Sequence, residues 1–106
     1  MCQNRIIFKQ FIQDNALDIV QIDSCRIGGL NEILSVLLLA HKYDKPVWPH
    51  AGGVGLCEYV QHIAMIDYLL ISCEKNSKRI EYVDHLHEHF LNPCQVKAGK
   101  YSAPLN

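Results

Sequence analysis

Pro46-Val47-Trp48-Pro49-His50-Ala51-Gly52-Gly53-Val54-Gly55 decides how this chain is read. A short apolar run stops at Pro49-His50, and three glycines follow within five residues. An amphipathic stretch begins at Leu56. That order predicts a strand, a sharp loop with unusual backbone angles, and a helix. His50 then falls at the carboxyl end of the strand, where α/β proteins keep their chemistry. The plainer reading is a surface loop with an incidental histidine.

Working outward, the same alternation repeats on both sides. Residues 5–15 carry an apolar stripe at helical spacing, and Asp14-Asn15 supplies a stop. Cys2-Gln3-Asn4 opens the chain without a helix cap. Residues 17–22 are a short, branched apolar run that reads as a buried strand ending at Asp23. Residues 24–29 form a loop, and residues 31–43 a helix closed by Asp44-Lys45-Pro46. Residues 56–69 are helical. Residues 70–73 read either as a strand or as the end of that helix. Residues 74–79 are charged and solvated. Residues 80–83 are a third strand, residues 85–91 a short helix, and the chain is irregular from Pro93 onward. Strands alternating with helices through short loops imply a parallel sheet with right-handed crossovers. Three such units cannot close a (β/α)8 barrel, which needs roughly 250 residues.

Composition narrows the class. The chain has 106 residues, 49% of them hydrophobic, enough to build a core. Ten basic and eleven acidic residues give a net charge of −1, with no basic stripe for nucleic acid. No apolar run is long enough to span a membrane. No signal or transit peptide is evident. The five cysteines are odd in number and none has CxxC spacing, which favours free thiols in a reducing compartment over a zinc ribbon. Both ends are abrupt, as in a fragment or a truncated isoform.

Asp23 ends one strand and His50 the next, and adjacent strands lie about 4.8 Å apart. The two side chains can therefore meet, the carboxylate fixing the imidazole tautomer. Alone, Asp23 reads as a loop acid capping local N–H groups. Alone, Glu81 reads as an edge-strand acid facing water. His85-Leu86-His87-Glu88-His89 invites a metal reading, since His85 and His89 share a helical face. Such motifs often match by chance, and zinc is not expected there. The glycine loop could cradle a phosphate at the helix start, but it lacks the GxGxxG order and a Walker lysine.

Three stretches resemble a known family. They are Gln21-Ile22-Asp23-Ser24-Cys25-Arg26-Ile27-Gly28-Gly29, Pro49-His50-Ala51-Gly52-Gly53-Val54-Gly55-Leu56, and Ile80-Glu81-Tyr82-Val83-Asp84-His85-Leu86-His87-Glu88-His89-Phe90. They are similar to the late barrel strands of the enolase superfamily, in its mandelate racemase subgroup and nearest the fuconate dehydratase branch. The resemblance runs from Cys2 to Asn106. It implies an α/β fold, the C-terminal part of a (β/α)8 TIM-type barrel covering about strands six to eight. Residues 1–91 would be the partial barrel domain and residues 92–106 an irregular tail.

The resemblance also implies roles. Asp23 and His50 would be a catalytic dyad, and Glu81 would hold the substrate carboxylate as it becomes an enediolate. The parent reaction would be loss of water from L-fuconate to give 2-keto-3-deoxy-L-fuconate, with Mg²⁺ stabilising the enediolate. The family's three metal-binding carboxylates and its Lys-x-Lys base precede Met1, so this chain is expected to bind no Mg²⁺ and to be inactive alone. An acid sugar is the implied substrate, and homo-oligomerisation stays open. The parent would be mitochondrial, while the chain as read leaves the cytoplasm open. The alternative function is a non-catalytic interaction module whose open strand edges bind a partner.

Overall fold

The computed structural model describes residues 2–74 and 78–104. Residues 75–77, the middle of the charged stretch 74–79, lie outside the described residues, as do Met1 and the final two.

Three helices dominate: α1 (Arg5–Gln13), α2 (Leu30–Lys42) and α3 (Leu56–Ile66). Asn4 caps α1, contrary to the reading of an uncapped start. Its side-chain oxygen accepts from the Ile6 and Ile7 N–H groups at 3.0 and 3.1 Å. Asparagine is among the strongest residues at this position, because its short amide reaches the orphan donors of the first turn. Asn15 and Asp44, at φ 50° and 55°, turn the chain just past α1 and α2, as the stop signals require.

Between the helices, residues 17–23 and 46–50 run parallel. Val20 pairs with Val47 and Asp23 with His50. The Val20 N–H donates to the Pro46 carbonyl at 2.9 Å. Trp48 and His50 donate back to Val20 and Ile22 at 3.0 and 2.9 Å. Residues 80–83, expected to be a third strand, are joined to this pair by a single backbone bond, from the Glu81 N–H to the Pro49 carbonyl at 3.2 Å. Pro49 has no N–H to give on that side, and the Ala51 N–H goes to the Glu81 side chain rather than to its carbonyl, so no ladder forms. Residues 70–73 resolve in favour of the helix, which continues as a π-helical turn, Asp67–Ile71. Its buried Asp67 is paired with Lys78, tying the end of α3 to the segment that carries Glu81.

Residues from Pro93 on are not irregular throughout. β1 (Val96–Lys97) and β2 (Lys100–Tyr101) form an antiparallel hairpin. Ala98 and Gly99 sit at φ 49° and 71°, the pair of positive angles that a two-residue hairpin turn demands. In the stretch 85–91, the ordered part is a 3-10 turn, His87–His89.

The main core gathers Phe8 and Ile12 of α1, Val20 and Ile22, Ile33, Val36, Leu37 and Ala40 of α2, Val47, and Ile63 of α3. A second cluster joins Ala51, Leu56, Cys57, Val60 and Cys94, with Ile80 and Tyr101 against it. No helix among the described residues is long and apolar enough to cross a membrane. Residues 17–23 are paired on one side among the described residues, and Leu69 and Leu70 are 64% and 76% exposed. Apolar surface of this kind drives association. The chain is therefore expected to sediment heavier than a monomer at micromolar concentration, and Leu70→Lys to shift it toward monomer. A sharp monomer boundary for the unmodified chain, unchanged by the substitution, would contradict this.

Candidate active site

The strand register sets the site. Pairing of Asp23 with His50 brings both to one end of the parallel segments. They line a common cleft with Gln21 and Arg26. The Glu81 carboxylate approaches from residues 80–83 and pairs directly with His50 Nδ1. Its Oε2 also accepts the Ala51 N–H at 3.0 Å. All three residues named from the sequence thus meet in one place.

The pairing within the trio differs from the expectation. His50 Nε2 lies 3.9 Å from Asp23 Oδ2, too far for a hydrogen bond. Asp23 is engaged nearer home. Its Oδ1 accepts the Cys25 N–H at 2.9 Å, and its Oδ2 faces the Arg26 guanidinium at 3.2 Å. The loop-capping reading of Asp23 and the site reading therefore both hold. Glu81 takes the imidazole, and its backbone is fixed twice, by Pro49 and by the Tyr101 hydroxyl, which donates to the Glu81 carbonyl at 2.6 Å. Sequence reasoning missed Tyr101, since nothing about it shows in spacing. The turn chemistry of Ala98-Gly99 was the available signal.

The glycines act sterically. A Cβ on Gly52 would stand 2.5 Å from His50 Cε1 and 2.8 Å from Nε2. Gly55 starts α3 at φ 73°, and a Cβ there would press on Phe90 Cζ at 2.9 Å. The phosphate-cradle reading gains no support, because Gly53 and Leu56 spend their N–H groups on the Ala51 and Gly53 carbonyls.

A second polar cluster lies behind the loop. Glu58 Oε1 stands 2.6 Å from His87 Nδ1 and accepts the Cys94 N–H at 3.1 Å. His87 Nε2 donates to the Val83 carbonyl at 2.8 Å, and the ring stacks on Tyr82. The Glu58 hydrogen bond and the Val83 carbonyl hold the His87 pKa above its ordinary value. Burial works to raise the Glu58 pKa, but hydrogen bonds from His87 and the Cys94 N–H outweigh it and leave the pKa lowered. Burial pushes the Cys94 thiol up to about 12, and burial likewise raises the Tyr101 phenol.

A Mg²⁺ ion requires near-octahedral oxygen coordination. Asp23 and Glu81 bring two carboxylates, both committed to other partners. These residues do not fit a magnesium site on their own.

Parallel βα units that bring an acid, a histidine and a second acid to one end define a segment of an α/β barrel. The chain belongs to the enolase C-terminal domain-like family, which it matches over residues 1–106. Its fold is the C-terminal part of that family's (β/α)8 barrel. It is 57% identical over 104 residues to L-galactonate dehydratase of Hypocrea jecorina, covering 98% of this chain and 23% of that protein. It is 55% identical over 103 residues to human mitochondrial enolase superfamily member 1, covering 97% and 23%. The crystal structure of that human protein superposes with a TM-score of 0.91 over 95% of this chain and 23% of that one, at 55% identity. L-talarate dehydratase from Polaromonas, solved with Mg and L-glucarate, shares the fold at a TM-score of 0.77 and 20% identity, over 98% and 25%. The chain spans about a quarter of the length of the curated relatives it matches.

Proposed function

We propose that this chain supplies the proton-handling side of a sugar-acid dehydratase site, with His50 as the residue that moves the proton. The observation that carries the reading is the pairing of His50 Nδ1 with Glu81 beside Asp23. Glu81 fixes the ring and leaves Nε2 as the nitrogen able to exchange a proton in the cleft. A dehydratase must protonate the departing hydroxyl, so that it leaves as water. It must then return a proton to carbon when the enol becomes a ketone. An oriented imidazole suits both transfers. Asp23 places a second carboxylate 3.9 Å from Nε2, on the cleft side of the ring.

The substrate class follows from the names of the relatives, which are sugar-acid dehydratases where they state a reaction. L-fuconate is the member to try first, with the 2-keto-3-deoxy acid as product. Mg²⁺, when bound, would stabilise the enediolate charge. Its ligands would come from segments other than this chain, as would the base that takes the first proton. The mandelate racemase subgroup and a mitochondrial setting belong to the same proposal, the latter resting on the name shared by several relatives. The 106-residue chain alone would then turn over no sugar acid.

The test is a joined enzyme. The matching segment of the Hypocrea dehydratase is replaced by this chain, and the product is assayed on L-galactonate and L-fuconate with Mg²⁺. Turnover within about tenfold of the host is expected, since an oriented site tolerates little misplacement. A folded, inactive hybrid would overturn the proposal. In an active hybrid, Gly52→Ala is expected to lower turnover about 10²-fold, because its Cβ displaces the His50 ring. Thermal stability should change little. Unaltered turnover would show that the ring has room to move.

A further inference from the structure

We infer that Cys57, His87 and Cys94 form a binding site for one tetrahedral zinc ion, bordered by Glu58 and distinct from the Asp23–His50–Glu81 site. The ligand atoms of Cys57, His87 and Cys94 all lie within 4.8 Å of one another, with Cys94 Sγ 3.7 Å from His87 Nδ1. Zinc binds sulfur at about 2.3 Å and imidazole nitrogen at about 2.0–2.1 Å, so two ligands of one ion stand roughly 3.5–4 Å apart. The cluster needs only a small contraction to meet that geometry. Both cysteines are buried and free of disulfides.

Glu58 borders the site, its Oε1 hydrogen-bonded at 2.6 Å to the same His87 nitrogen, a bond the ion would replace. Its Oε2 is buried with no hydrogen-bond partner among the described residues. A buried carboxylate oxygen left unpaired is costly, and a cation removes the cost. Simple packing of two thiols against an ion pair leaves that oxygen unexplained.

The far side of the imidazole agrees. Metal-bound histidine usually donates its other N–H to a carbonyl or carboxylate. His87 Nε2 does this to Val83 at 2.8 Å. Leu86, at φ 54°, makes the left-handed turn that sends His87 inward while His85 and His89 stay exposed. A non-glycine residue in that region is uncommon. The donor set also selects the metal. Two thiolates and an imidazole suit zinc, whereas magnesium and calcium require oxygen ligands. On binding, two thiols and His87 Nδ1 give up three protons to solvent, and nothing is oxidised or reduced. The ion would clip α3, the 3-10 turn and the approach to the hairpin together, beside the segment that carries Glu81.

The test uses the reduced chain, stripped of metal with a chelator and titrated with Co²⁺. One Co²⁺ per chain is expected, with thiolate-to-cobalt charge-transfer absorption and d–d bands of tetrahedral strength. One equivalent of Zn²⁺ should bleach them and raise the melting temperature. Cys57→Ala and Cys94→Val should each abolish the thiolate bands, and the exposed Cys25→Ser should leave them intact. Circular dichroism checks the fold of each variant, with Cys94→Ser as the second choice where Cys94→Val fails to fold. Absent thiolate bands in the unmodified chain would overturn the inference. So would equal binding by the Cys94 variant, or a Cys57–Cys94 disulfide that forms in air with zinc present.

Discussion

His50→Asn in the joined enzyme is expected to lower turnover by about 10²–10⁴-fold, the usual contribution of a positioned proton carrier. Asparagine keeps the size and a hydrogen bond to Glu81 but cannot carry a proton. KM for the sugar acid should therefore move little. The neighbouring acids should not be equivalent. Glu81→Gln removes the group paired directly with Nδ1 and should cost more than Asp23→Asn, whose carboxylate lies 3.9 Å from Nε2. The reverse order would mean that Asp23 closes onto the ring when substrate binds. Near-normal turnover in His50→Asn would remove the proton-transfer role altogether. Steady-state kinetics of the three variants decide among these outcomes.

Ile22→Ala is expected to lower unfolding free energy by about 2–5 kcal/mol, the range for truncating a buried isoleucine. Ile22 is fully buried within the main core cluster, which draws on α1, α2 and α3. Its carbonyl also accepts the His50 N–H at 2.9 Å. Domains of this size are held together by about 5–15 kcal/mol, so the loss is a large share of the total. Urea denaturation of the chain and its variant measures it. A midpoint shift equivalent to less than about 1 kcal/mol would mean that the site collapses without strain. The same substitution should loosen His50, because the cavity forms directly beneath the bridge that registers it with Asp23.

The features most legible from sequence were those governed by local rules. Helical periodicity placed α1, α2 and α3 within a few residues, and the stops at Asn15 and Asp44 followed from residues that tolerate positive φ. The alternation of apolar runs and glycine loops placed Asp23 and His50 at the same end. What was not legible depends on contacts between distant residues. Asn4 looked like part of an abrupt start, yet it caps α1. Residues 80–83 have a strand's composition, but Pro49 denies them a ladder. The histidine run draws attention to i, i+4 spacing, whereas His87 alone turns inward to meet Cys94, seven residues on, and Cys57, thirty residues back. Glu81 was marked as a solvent-facing acid until the resemblance gave it a role. Its backbone carbonyl is held by Tyr101, a residue marked in the sequence only by the turn just before it.

That tyrosine orders the birth of the site. A ribosome releases the chain from the amino end, so Asp23, His50 and Glu81 all emerge before Tyr101. Until the hairpin closes, the Glu81 carbonyl lacks the hydroxyl that holds it, and the acid rests on Pro49, the Ala51 N–H and the imidazole alone. The helices and the paired segments precede the hairpin in the chain, so the last hold on the Glu81 backbone and one flank of the second core cluster arrive together, with Tyr101.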